Sequence, residues 1–201
     1  MKKVKSLILV GLSLVLFAGG VGVLNHIISE QSEEFKDEAV VKVEEKKEEV
    51  KKVEVLKSPV KDNIGIVRYF YDKDDESEKQ EQSLILFEGV YRANLGIDYA
   101  CQNEVFDVCA SISGKVTSLK NDPILGWVVS ISQDDIVVTY ESLSEVNVKL
   151  NDNVKQGDKI GKCGSNLYEA DLKNHVHFML EKNDIVLNPE KYLNKEISTI
   201  K

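Results

Sequence analysis

Histidine is scarce in this chain: 201 residues hold three, at His26, His175 and His177. A metal centre built mainly from imidazoles is therefore excluded, because His26 lies far from the other two in sequence. Cysteine is equally sparse, with Cys101, Cys109 and Cys163 and no C-x-x-C pair. That spacing excludes a cysteine-rich zinc cage, and the odd count leaves at least one thiol unpaired within the chain. The simplest reading is three small core-filling residues. An excess of positive charge is also missing: Lys+Arg 26 stand against Asp+Glu 34, a net charge of -8. Nucleic acid is not an expected partner, since phosphate binding needs a basic stripe. Long helical periods are absent beyond residue 57, and there is a single long hydrophobic run.

That run is Leu7 to Leu24, preceded by Lys2, Lys3 and Lys5. About 20 apolar residues are enough to cross a hydrocarbon core of roughly 30 Å as a helix. The basic flank predicts a cytoplasmic segment over 1–5, a signal anchor over 6–28, and everything later outside. A cleaved signal peptide is the rival reading, but the run is long and Phe17-Ala18-Gly19-Gly20 makes a poor cleavage site. Residues 29–57 alternate acidic and basic blocks, with Glu38 to Lys42 and Glu48 to Lys52 at helical i,i+4 spacing. Their valines are too few for a coiled coil, so this stretch reads as a charged stalk or linker.

Ser58-Pro59 marks the change to short apolar runs separated by turn residues. Strands are predicted at Ile64–Tyr71, Ser83–Phe87, Val105–Ala110, Gly114–Leu119, Trp127–Ile131, Ile136–Tyr140, Val176–Leu180 and Ile185–Leu187. The expected fold of 58–195 is all-β, an antiparallel sandwich or partly closed barrel, followed by a tail over 196–201. Ile64–Tyr71 and Trp127–Ile131 are candidate edge strands, open to pairing with a partner strand.

His175-Val176-His177 carries the chemical interest. Side chains at i and i+2 of a strand share a face, so both imidazoles can reach one small site. A catalytic zinc takes three protein ligands and keeps one open position. Asp98 offers a third ligand, but the position four before it, where an imidazole would complete a set, is Asn94. Asn could present only a neutral carbonyl oxygen, a poor replacement on zinc. Zinc chemistry is therefore expected to be lost, and no cofactor is expected.

Several segments occur in a telling order: Asn94-Leu95-Gly96-Ile97-Asp98, Tyr140-Glu141-Ser142-Leu143, Val154 through Gly161, Gly164-Ser165, His175-Val176-His177-Phe178 and Asn188-Pro189. Over about residues 60 to 195 this resembles the LytM-type domain of the M23 zinc metallopeptidases. In active members, H-x-G-x-D supplies two metal ligands, H-x-H a catalytic His and the third ligand, and Tyr-x-His-Leu a further active-site His. The resemblance implies matching roles for Asp98, His175 and His177, with Asn94 and Ser142 standing where histidines are expected. Two substitutions among five positions imply a fold that no longer cuts.

The layout of anchor, stalk and degenerate LytM domain also resembles the stage II sporulation protein Q family of spore-forming Firmicutes. That resemblance implies a non-catalytic protein of the forespore membrane whose domain faces the space between forespore and mother cell. It implies binding to the extracellular domain of the mother-cell stage III protein AH, engulfment, and a higher-order ring forming a transenvelope channel. Contact with peptidoglycan fits the same family. The alternatives are a degenerate LytM activator of a cell-wall amidase and an active zinc peptidoglycan endopeptidase.

Overall fold

A computed structural model of the chain describes residues 53–201. The expected anchor and nearly all of the stalk lie outside the described residues. Among the described residues, no helix is long and apolar enough to cross a membrane.

Among the described residues, twelve strands and one short α-helix follow in order: β1 (Gly65–Arg68), α1 (Ser77–Gln82), β2 (Leu84–Phe87), β3 (Val90–Ala93), β4 (Ile97–Ala100), β5 (Asp107–Cys109), β6 (Gly114–Asp122), β7 (Gly126–Gln133), β8 (Ile136–Val146), β9 (Asn153–Val154), β10 (Lys159–Cys163), β11 (His175–Lys182) and β12 (Ile185–Leu187). The main sheet runs β1-β4-β11-β8-β7-β6-β9, with β10 joining β8 to β5 and β12 lying on β11. All its pairings are antiparallel. The path ends at β1 and β9 without closing on itself, so the expected all-β antiparallel architecture is present as an open sheet. A separate β2–β3 hairpin stands beside it.

Local chemistry explains the joints. β11 and β12 meet through a two-residue loop, Asn183-Asp184, with Lys182 paired to Ile185. Both loop residues have positive φ, as a type I′ turn requires. Between β6 and β7, Asp122 Oδ1 accepts from the N–H groups of Ile124 and Leu125, and Gly126 takes φ 77°. Strand β8 alternates buried and half-buried from Ile136 to Tyr140, the period-2 pattern of a sheet with one face in the core. Tyr140 and Phe178, register partners on β8 and β11, pack with ring centroids 5.5 Å apart.

One expectation is corrected. Trp127–Ile131 lies in β7 between β6 and β8, so it is an interior strand; β1 alone of the two candidates is an edge. The packed body also extends beyond 58–195 at both ends. Leu56 is fully buried, and its N–H and C=O bond Lys195 O and Asn194 N–H. Glu54 accepts from Ser113 N, Ser113 Oγ and Gln133 Nε2, Val55 bridges Glu196, and Ile200 is fully buried. These residues read as linker and tail because charge surrounds them, but their apolar members fill the edge of the core.

Candidate functional site

Four adjacent strands set the site. Register places Arg68 of β1 opposite Asp98 of β4, Asp98 opposite His177 of β11, and His177 opposite Glu141 of β8. Residues directly opposite on antiparallel strands share a face. The sheet thus carries a row of alternating sign, Arg68–Asp98–His177–Glu141.

Close approach of strands makes the row compact. Gly96 lies where any Cβ would fall 2.6 Å from Phe178 O and 2.7 Å from His177 Nε2. Only glycine lets the Asn94–Asp98 segment lie this tightly on β11.

Asp98 is fully buried and accepts two hydrogen bonds. His177 Nδ1 donates to Oδ1 at 2.8 Å, and Asn94 Nδ2 donates to Oδ2 at 2.9 Å. Asn94 Nδ2 also donates to Tyr69 O at 3.0 Å, and since a backbone carbonyl can only accept, the amide's orientation is fixed. Its Oδ1 turns instead toward Gly96 N–H at 3.4 Å. The carbonyl oxygen that sequence reasoning offered as a weak ligand therefore points away, and an N–H group faces the carboxylate.

A second cluster adjoins the first. His175 and Ser142 are fully buried, with Ser142 Oγ 2.8 Å from His175 Nε2. His175 Nδ1 donates to Lys173 O at 2.8 Å, and Asn166 Nδ2 donates to Ser142 Oγ at 2.5 Å. Asn166 Oδ1 in turn accepts from Glu169 N–H at 2.6 Å. Ser142 sits at φ 62°, where the sheet register breaks, and its N–H bonds Leu125 O.

Glu169 links the clusters. Its Oε2 lies 3.3 Å from His175 Nε2 and 3.7 Å from His177 Nδ1, and its Oε1 accepts from Arg68 Nη1 at 3.3 Å. Arg68 Nη2 donates to Asp171 Oδ2 at 2.5 Å. Arg68, Asn166 and Glu169 escaped sequence reasoning. Glu169 follows no spacing rule relative to His175, and Arg68 is a single charge ending an apolar strand.

The electrostatics follow the geometry. Burial pushes His177 down, but the Asp98 charge and hydrogen bond, with Glu169 and Glu141 beyond, raise it to about 9. Burial works against charge on Glu169, yet the His175 hydrogen bond and attraction from His177, His175 and Arg68 hold it at about 2. Asp98 is pushed up by burial, drawn down by His177, and pushed up again by Glu169. Burial is the largest influence on Asp98 and carries it upward, with the nearby Glu169 charge adding to the rise. Because both Asp98 oxygens face N–H donors, the ionised pair with His177 is the form the geometry holds.

Asp98, Glu169 and His177 bring ligand-type atoms within 4.8 Å of one another, so residue types alone would permit a cation. Their atoms are already committed. The His177 nitrogen facing Asp98 carries a proton, Asp98 accepts from His177 and Asn94, and Glu169 is held by Arg68 and His175. Among the described residues, none of the buried polar atoms lacking a partner belongs to this cluster. A zinc ion does not fit these residues as arranged. Beside them opens a cleft of about 440 Å³ with Ile85, Phe87, Ile124 and Tyr168 in its walls and His177 and Glu141 in its lining.

Comparison with known proteins accords with this geometry. Peptidase family M23 matches residues 92–189. Stage II sporulation protein Q of Bacillus subtilis (strain 168) is 41% identical over 154 residues, covering 75% of this chain and 54% of that protein. The chain therefore spans about half the length of that curated relative. A chain of the SpoIIQ-SpoIIIAH pore forming complex is 40% identical with a TM-score of 0.71, covering 74% of this chain and 96% of that one. A zinc containing peptidase from Vibrio cholerae, 21% identical with a TM-score of 0.54 over 68% of this chain and 39% of its own, shares the fold. The LytM-type sheet, the segment order and this identity to a sporulation relative together place the chain in peptidase family M23.

Proposed function

We propose that this chain is a non-catalytic, membrane-anchored interaction protein of sporulation. In this reading residues 1–5 are cytoplasmic, 6–28 anchor the chain in the forespore membrane, and the stalk carries the domain into the intermembrane space. There the domain binds the outer domain of a mother-cell partner of the SpoIIIAH kind, supporting engulfment and a ring-shaped channel between the two cells. The observation that carries the proposal is the 40% identity to a chain solved in complex with SpoIIIAH, extending over 96% of that chain. The internal arrangement of the old cleft supports it from the other side. Asn94, Asp98, Ser142, His175 and His177 are read as remnants of a catalytic motif whose polar atoms now bond one another. Zinc is accordingly dispensable, and hydrolysis is not the activity.

Calorimetric titration of the 53–201 fragment with the outer domain of a SpoIIIAH-type partner tests the reading. Saturable binding that persists in EDTA is the expected result. Two folded proteins that give no binding signal would remove the proposal. Release of wall fragments in a chelator-sensitive manner would replace it with the endopeptidase.

A further inference from the structure

Arg68 is a cation held almost out of water, 7% exposed, on an edge strand. A guanidinium is buried at high cost unless carboxylates face it. Here Glu169 and Asp171 face it, at 3.3 and 2.5 Å. Glu169 is equally dependent: at 1% exposure it has Arg68 on one oxygen and the two histidines near the other.

Two buried carboxylates and an imidazole, with ligand atoms inside 4.8 Å, demand positive charge nearby. In such a space a divalent ion is one solution, and a set of fixed N–H donors is another. This chain has the second: the Asn94 amide and the His177 ring on Asp98, and the Arg68 guanidinium on Glu169. Of these three, Arg68 is the permanent charge, and its backbone stands in register with Asp98.

We infer that Arg68 stands in for a metal ion. Its guanidinium, locked to Glu169, is the fixed internal counter-charge of the cluster, and without it the Asp98–Glu169–His177 set takes up a divalent cation. The inference does not depend on the partner reading, because cation uptake and partner binding are separate measurements.

The test compares the full-length parent in detergent with Arg68→Gln, Arg68→Lys and the double variant Arg68→Gln/Glu169→Gln. Zinc chloride and manganese chloride are the probes, read by metal stoichiometry after gel filtration and by thermal midpoint with and without EDTA. The parent is expected to carry no stoichiometric metal and to keep its midpoint in EDTA. Arg68→Gln is expected to melt earlier in EDTA, to recover on adding zinc or manganese, and to bind one ion at least about tenfold more tightly than the parent. Arg68→Lys keeps the charge and should remain indifferent to metal. The double variant removes both charges and should fold and ignore metal, which separates a charge role from simple loss of packing. Stoichiometric zinc in the parent overturns the inference. So does an Arg68→Gln variant that no ion rescues, whether or not it folds, or a double variant as unstable as the single one.

Discussion

His177 and Asp98 stand directly opposite each other on β11 and β4, with Nδ1 and Oδ1 2.8 Å apart. A pair so placed in a relative with a complete motif would share a cation; here the two share a proton. Its energetic signature is a pH window. His177 rises from 6.5 unfolded to about 9 folded, so its contribution is complete below pH 6.5 and is lost as pH climbs through about 9. Glu169 falls from 4.5 to about 2, so its contribution is complete above pH 4.5 and is lost as pH drops toward about 2. Burial-raised Asp98 opposes the acid loss, making that limb the shallower one. Urea midpoints measured across pH should plateau between these limits, with the alkaline limb worth about 3 kcal/mol. A midpoint unchanged from pH 6 to 10 would refute the ion pair.

Asn94 is a strut, and its replacement should cost stability rather than activity. Asn94→Ala leaves Asp98 Oδ2 and Tyr69 O without a donor, a loss of about 2–4 kcal/mol for one buried, charged acceptor and one part-buried carbonyl. Asn94→Asp should be worse, because it sets a second carboxylate beside Asp98. Equilibrium denaturation that ranks Asp above Ala in stability would contradict this account.

Ser142 joins two demands that few residues meet together. Its φ of 62° disfavours β-branched side chains, and its hydroxyl serves both His175 and Asn166. Ser142→Gly should lose the hydrogen bonds alone, about 1–3 kcal/mol, while Ser142→Val should add backbone strain and lower the thermal midpoint further. Equal midpoints for the two variants would show that the backbone conformation is not constrained.

The domain boundary is open to the same kind of measurement. A fragment starting at residue 58 lacks Leu56, which is fully buried, and Glu54, which accepts three hydrogen bonds. It should be less stable than the 53–201 fragment by several kcal/mol, and Leu56→Ala in the longer fragment by about 2–5 kcal/mol. Identical denaturation curves for the two fragments would return residues 53–57 to the stalk.

Ile136 to Tyr140 was legible because its burial alternates, and Val176 to Leu180 because it is a short, largely apolar run. β4 did not, because Ile97-Asp98-Tyr99-Ala100 is buried on nearly every residue and holds a carboxylate, which breaks the apolar pattern. β10 was hidden by its two lysines and a glycine, whose missing side chain lets Glu145 O approach. The five motif positions could be named from sequence, and the structure brings all of them to one place. Their bonding could not be foreseen, since it turns on Arg68 and Glu169, 101 residues apart and joined only by folding. Sequence spacing reports which atoms could meet an ion; it cannot report that other side chains have satisfied them first.

The bridge between Val55 and Glu196 has a practical sequel. A fluorophore or affinity tag fused after Lys201 would emerge near the Val55–Glu196 bridge. Distances measured from such a label would describe the segment around Val55, and a probe of the cleft should instead be placed on the β2–β3 hairpin, where Tyr91 is 67% exposed.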